Sequence, residues 1–250
     1  MADEKKEEVD ESRRDFLKKS GYAAGGLVVG GGVVGSLLGI NFGSEETGTT
    51  SKKEEPQYNK ALMYFKNQKE FETLAEATEQ IYPADDNGPG AIELGVPYFI
   101  DHQLAGAYGN NSREYMQGPF KTGSDYQGYQ SRLKRHEIFI QGIRELEKQS
   151  QKQYDDSFKD ISDEDKGELL SKFENDDVNM KAVKASEFFN LLVSATMSGV
   201  YSDPLYGGNI KMEGWKMKEY PGNQMSYTDE IEKEEFVEME PKALNDHINI

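Results

Sequence analysis

Apolar residues recur along much of this chain at steps of three and four, the spacing that keeps one face of an α-helix turned toward a core. Phe71, Leu74, Ala75, Thr78 and Ile81 form the first such stripe, which stops at Pro83. Val96, Phe99, Ile100, Leu104 and Ala107 form the second, with Pro97 tolerated in the first turn because an N–H there has no helical partner to lose. The longest helix is predicted over residues 124–153, on the stripe Tyr126, Tyr129, Leu133, His136, Ile140 and Ile143. Ser162 followed by Asp165 resembles a capping box with Asp in place of Glu, and opens a short helix through Leu169, Leu170 and Phe173. A fifth helix, residues 178–198, is the most apolar; Phe188, Phe189, Leu191, Leu192, Val193 and Ala195 predict a central position. There is no convincing run of alternating β-branched residues to suggest a sheet. The pattern therefore predicts an all-α fold, a single bundle-like domain of about five helices over residues 58–224.

Beyond Gly199 the periodicity gives way to turn chemistry. Tyr201-Ser202-Asp203-Pro204-Leu205-Tyr206-Gly207-Gly208-Asn209 and Tyr220-Pro221-Gly222-Asn223 place Gly and Asn where positive φ is needed and Pro where a bend is fixed. Trp215, the only tryptophan, lies between them and is expected to pin this loop-rich segment onto the helices. Residues 225–250 read as an acidic, partly ordered tail, with 8 acids and 2 lysines from Asp229 onward.

The N-terminal region follows different rules. Ser12-Arg13-Arg14-Asp15-Phe16-Leu17-Lys18 stands directly before an uncharged run from Ser20 to Phe42. The pair Arg13 and Arg14, then Phe16 and Leu17, match a twin-arginine export signal. Eight glycines dilute the apolar run, and low hydrophobicity of this kind is expected of a segment read by that route. Its 23 residues are long enough to span a bilayer, for which about 20 are needed. The glycines weaken both helix propensity and membrane partition, and no A-x-A-like cleavage site follows, so a retained anchor and a cleaved signal stand about equal. Gly30-Gly31-Gly32-Val33-Val34-Gly35 satisfies G-x-G-x-x-G on paper, but it sits inside this run and leads into a polar spacer, residues 43–57, where a dinucleotide fold needs a helix. Residues 1–42 are thus an address and possible anchor, and residues 43–57 a disordered linker.

Composition narrows the chemistry. The 250 residues include no cysteine, which excludes disulfides, c-type haem attachment, thiolate-held iron–sulfur clusters and a cysteine nucleophile. Three histidines, His102, His136 and His247, are far apart in sequence. Net charge is -17, of which residues 1–42 contribute almost nothing with 7 acidic and 6 basic side chains. Such a surface repels nucleic-acid phosphates and is heavily solvated.

Individual candidates mostly dissolve on inspection. Asp85-Asp86-Asn87-Gly88 fails the EF-hand spacing, since the fifth and twelfth positions would be Pro89 and Val96, and reads as an inter-helix turn. Asp101 and His102 are adjacent on a helix, about 100° apart, and so are poorly placed to act on one atom. His136 falls on an apolar stripe and is expected to be a hydrogen-bonded core residue. No G-x-S-x-G elbow presents a serine. Asp203 before Pro204 is suited to capping its own turn. Tyr201, Tyr206, Trp215 and Tyr220 suit either core packing or an aromatic docking surface, and the two readings are compatible.

Three stretches resemble a known family, the gluconate 2-dehydrogenase subunit 3 family, small subunits of membrane-bound, FAD-dependent sugar and polyol dehydrogenases. They are Ile81-Tyr82-Pro83 through Gly88-Pro89-Gly90-Ala91 to Gly95-Val96 and Phe99-Ile100-Asp101; Gly199 through Asn209; and Gly214-Trp215-Lys216 with Tyr220-Pro221-Gly222. The resemblance implies a subunit with no catalytic residue and no cofactor of its own. It also implies a large flavoprotein partner of the glucose–methanol–choline class that carries FAD, often with a cytochrome c subunit. In that family the small subunit is thought to carry its partner through the twin-arginine translocase, which moves folded, cofactor-loaded proteins. The expectation for this chain is the extracytoplasmic face of the bacterial cell membrane, anchored through residues 20–42 or peripheral. Tyr201, Asp203, Pro204, Tyr206, Gly207, Gly208, Asn209 and Trp215 are the expected partner-binding residues. A membrane-tethered binding module without a dehydrogenase partner is the alternative, and a free-standing exported enzyme acting through Asp203 or His136 is a third reading.

Overall fold

The computed structural model describes residues 60–247 apart from positions 122, 125 and 128. The export motif, the run 20–42 and the spacer 43–57 lie outside the described residues. Five helices of ten residues or more carry the fold: α1 (Gln68–Ile81), α2 (Val96–Ala105), α3 (Arg135–Tyr154), α4 (Asp163–Glu174) and α5 (Ala185–Val200). A single further turn, α6 (Glu213–Lys216), and short 3-10 turns at Pro204–Tyr206, Ile210–Met212 and Leu244–His247 follow. Among the described residues there is no strand, only isolated bridges between Asp85 and Gly88 and between Gly222 and Lys242. The all-α expectation holds.

The α5 helix is the hub, as its apolar sequence predicts, and packs against each of α1 to α4. Phe188 on α5 sits between Phe139 of α3 and Phe173 of α4, with ring centroids 5.9 and 5.8 Å away, and all three are fully buried. Each such ring contributes about 1.5–3 kcal/mol by leaving water. Gly142 on α3 permits this approach, since a Cβ there would stand 2.2 Å from the Phe188 ring.

The helix starts have identifiable causes. Asn67 caps α1 by accepting the Lys69 N–H at 3.0 Å. At α4 the Ser162 hydroxyl accepts the Asp165 N–H at 3.2 Å and donates to the Asp165 carboxylate at 2.6 Å. Asp is one methylene shorter than Glu, and here it closes on the hydroxyl of Ser162, where a Glu in a capping box reaches the cap N–H.

Two helices begin later than their apolar stripes suggest. The α3 helix starts at Arg135, so Tyr126, Tyr129 and Leu133 are not helical, and Tyr126 is 96% exposed. Residues that match helical spacing here belong to a polar loop pinned at its end. The Arg135 guanidinium lies over the Tyr108 and Tyr129 rings and pairs with Glu114 at 2.6 Å, while its backbone N–H donates to Asn111. The Glu137 carboxylate accepts the Lys134 N–H at 2.8 Å, which fixes the start of the helix. Similarly α5 opens at Ala185 instead of residue 178, and the Ser186 N–H in its first turn donates to Asp176.

A buried carboxylate ties the first described segment to the bundle. Asp101 on α2, fully buried, accepts the N–H groups of Met63 at 2.5 Å, Tyr64 at 3.1 Å and Phe65 at 2.8 Å. Neighbouring His102 reaches the Ala61 carbonyl at 2.8 Å. The two side chains therefore engage different atoms of one segment, as their 100° separation requires.

Candidate partner-binding surface

Everything distinctive about the C-terminal part grows from the end of α5. The helix closes with the Tyr201 N–H on the Met197 carbonyl, and the Ser202 hydroxyl donates to the Gly199 carbonyl at 3.1 Å. Asp203 then caps the 3-10 turn Pro204–Tyr206, one carboxylate oxygen accepting the Leu205 N–H at 2.9 Å. Its other oxygen accepts the Leu244 N–H at 2.8 Å, so both oxygens hold backbone. Sequence reading anticipates the cap; the second bond, 41 residues away, has no local signal.

Asn209 is the organising residue. It is fully buried with φ 49°, a left-handed conformation that Asn tolerates better than most residues. Its amide donates to the Ser202 carbonyl at 2.8 Å and its oxygen accepts the Gly214 N–H at 2.8 Å. The chain packs so tightly around it that a Cβ on Gly208 would meet the Gly199 carbonyl at 2.3 Å, and one on Gly214 the Val200 carbonyl at 2.1 Å. Trp215 is buried, donates its indole N–H to the Tyr201 carbonyl at 2.8 Å, and stands edge-on to Tyr220 at 5.5 Å. It pins the segment as expected.

This framework docks on the helices at two further points. The Ile210 N–H donates to the Leu94 carbonyl at 3.2 Å. Tyr201 and Tyr82 meet edge to face at 6.4 Å, and the Tyr82 hydroxyl points at the Met217 sulfur. Burial, followed by the hydrogen bond to Tyr201, pushes the Tyr82 phenol well above its ordinary pKa.

The eight residues expected at a partner surface thus divide. Gly207, Gly208, Asn209 and Trp215 are internal, Tyr201, Asp203 and Pro204 are half-buried, and Tyr206 is 52% exposed. Leu205 and Ile210 are also exposed, and their 3-10 turns contact each other. These two were not singled out from the sequence; the available signal was an aliphatic side chain inside glycine-rich turn chemistry, with no helix of its own to pack in. The outward cluster is therefore Leu205, Tyr206 and Ile210 on a rigid, inward-bonded frame.

The sequence profile described as gluconate 2-dehydrogenase subunit 3 matches residues 68–222, from the first residue of α1 to the end of this frame. The chain belongs to that family. No curated protein and no solved structure matches it. Membership makes it a subunit, by description, of a dehydrogenase complex.

The remaining polar candidates in this gluconate 2-dehydrogenase subunit 3 chain have structural partners. His247 meets the Asn223 carbonyl at 2.6 Å, which brings the C-terminal turn back onto the frame. His136, expected in the core, is half-buried in the first turn of α3, its ring tilted against that of Tyr64 at 5.7 Å, and the Tyr64 hydroxyl donates to the His136 backbone carbonyl. Asp85 accepts from the Asn87 side chain and backbone, and those bonds lower its carboxyl below the usual range. Among the described residues no group of three His, Asp or Glu side chains is arranged to hold a metal ion, and no helix is long and apolar enough to cross a membrane.

Proposed function

We propose that the chain is the non-catalytic small subunit of an exported, FAD-dependent sugar or polyol dehydrogenase of the glucose–methanol–choline class. It binds the flavoprotein subunit, escorts it through the twin-arginine translocase and aids its maturation. FAD resides in that partner, and a cytochrome c completes the complex where one is present. The observation that carries this reading is the sorting of residues 201–215: the polar and glycine positions bond inward, which leaves Leu205, Tyr206 and Ile210 exposed on a backbone held by those bonds. Exposed apolar side chains on a rigid frame bind a partner with little ordering cost. Family membership names the kind of complex, and Arg13-Arg14 ahead of an uncharged run supports its export across the cytoplasmic membrane.

The escort step is tested by co-expressing the flavoprotein with the full chain and with a chain lacking residues 1–42. The flavoprotein is expected outside the cytoplasmic membrane only with the full chain. Equal export with the truncated chain defeats the escort reading. Arg13→Lys with Arg14→Lys keeps both charges and should reproduce most of the defect, because recognition depends on the guanidinium pair.

A further inference from the structure

An open groove of about 1220 Å³ lies between the stretch 216–221 and the returning C-terminal stretch 227–241. Most of its lining falls beyond residues 68–222, so it is additional to the family's common domain. Its apolar members are unusually bare: Ile231 is 78% exposed, Phe236 88%, Tyr220 50% and Tyr227 47%. Isolated exposed apolar residues are ordinary, but four lining one concavity are not. Around them stand Glu219, Glu230, Glu235, Glu238 and Glu240, against a single lysine, Lys216, which is paired with Glu213 at 2.9 Å. Glu230 is paired with Lys233; among the described residues no ion pair engages the other four glutamates.

We propose that this groove binds a cationic, apolar-studded polypeptide segment of another protein. Charge decides between occupants. A second copy of a chain with net charge -17 would bring the same acids into the groove, and anionic lipid or nucleic acid would be repelled by them. A peptide with lysine or arginine interleaved with aliphatic residues satisfies both the rim and the floor. The volume exceeds the roughly 300–1,000 Å³ of small-molecule pockets and suits several residues of extended chain. The site is independent of the Leu205–Ile210 cluster, and its failure would leave that surface untouched.

Calorimetric titration of the full chain with three synthetic peptides of equal length tests this: alternating lysine–leucine, alternating glutamate–leucine, and oligolysine. The lysine–leucine peptide is expected to bind saturably, with affinity falling as salt is raised, while the glutamate–leucine peptide does not bind. Oligolysine is expected to bind about tenfold more weakly or worse, and Ile231→Ala with Phe236→Ala to weaken the lysine–leucine peptide by about tenfold. Both substituted side chains are exposed, so the double variant should keep the wild-type melting temperature, which the same samples report. Trp215, against Tyr220 on the groove wall, supplies a second signal through its emission. Equal binding of oligolysine, undiminished binding by the double variant, or no binding of the lysine–leucine peptide overturns the proposal. Self-association lost in the double variant would assign the groove to a second copy and overturn it equally.

Discussion

The Asn209 side-chain oxygen accepts the Gly214 N–H at 2.8 Å, and this buried bond closes the turn that carries Ile210, while the Asn209–Ser202 bond closes the one that carries Leu205 and Tyr206. The same side chain holds the Ser202 carbonyl, so one amide satisfies a backbone donor and a backbone acceptor at once. Asn209→Ala leaves both unsatisfied and keeps a left-handed φ without the residue that tolerates it. It should cost about 2–4 kcal/mol in chemical denaturation. Asn209→Asp should be nearly as harmful, because its second oxygen faces the Ser202 carbonyl.

Asp101 makes a comparable prediction for the other end of the domain. Asp101→Asn replaces one acceptor oxygen with a donor that faces backbone N–H groups of residues 63–65. The loss is expected to be about 2 kcal/mol, with cleavage by protease rising selectively in that segment. Unchanged cleavage there would mean that the segment is held by Phe65 and its ring contacts.

Gly142→Ala tests the hub. The added methyl would lie 2.2 Å from the Phe188 ring, and Phe188 is wedged between Phe139 and Phe173, so it has little room to yield. A loss of about 1–3 kcal/mol is expected, although alanine has the higher helix propensity. A gain would show that the ring moves aside.

Stability should also carry a specific acid dependence through Glu147 on α3. Burial opposes its ionisation, but Lys69 at 2.8 Å, the Phe158 N–H at 3.1 Å and the Thr73 hydroxyl at 3.2 Å outweigh it and hold the carboxyl below the usual range. A carboxyl lowered in the folded state contributes fully above its unfolded pKa and loses that contribution as pH falls through the folded value. Denaturation curves of wild type and Glu147→Gln should therefore differ by about 1–2 kcal/mol at neutral pH and converge in acid.

What could be read from the sequence followed from local chemistry. Pro97 and the Ser162–Asp165 pair mark helix starts through groups within three residues, and the apolar density of residues 188–195 marks the hub. The stripe Tyr126, Tyr129, Leu133 misleads because its spacing is helical while the loop is held by contacts at longer range: Tyr108, Asn111 and Glu114 fix Arg135 and the helix begins there. Asp101 had a visible signal, an acid within an apolar stripe, but its partners 36 to 38 residues away did not. At the candidate partner surface the motif 201–209 was legible as a unit. Its division into an inward frame and an outward cluster depends on Ser202, Gly214 and Leu244 closing around it, which no local pattern encodes.

The central claim is that this outward cluster binds a flavoprotein. Co-purification of the flavoprotein on affinity-tagged full-length chain, with bound flavin read by its absorbance, measures it most directly. Wild type should retain flavin in proportion to the captured chain. Leu205→Glu with Tyr206→Glu, which alters only exposed side chains, should lower retained flavin by about tenfold or more at an unchanged melting temperature. Equal flavin on the variant and the wild type would contradict the account.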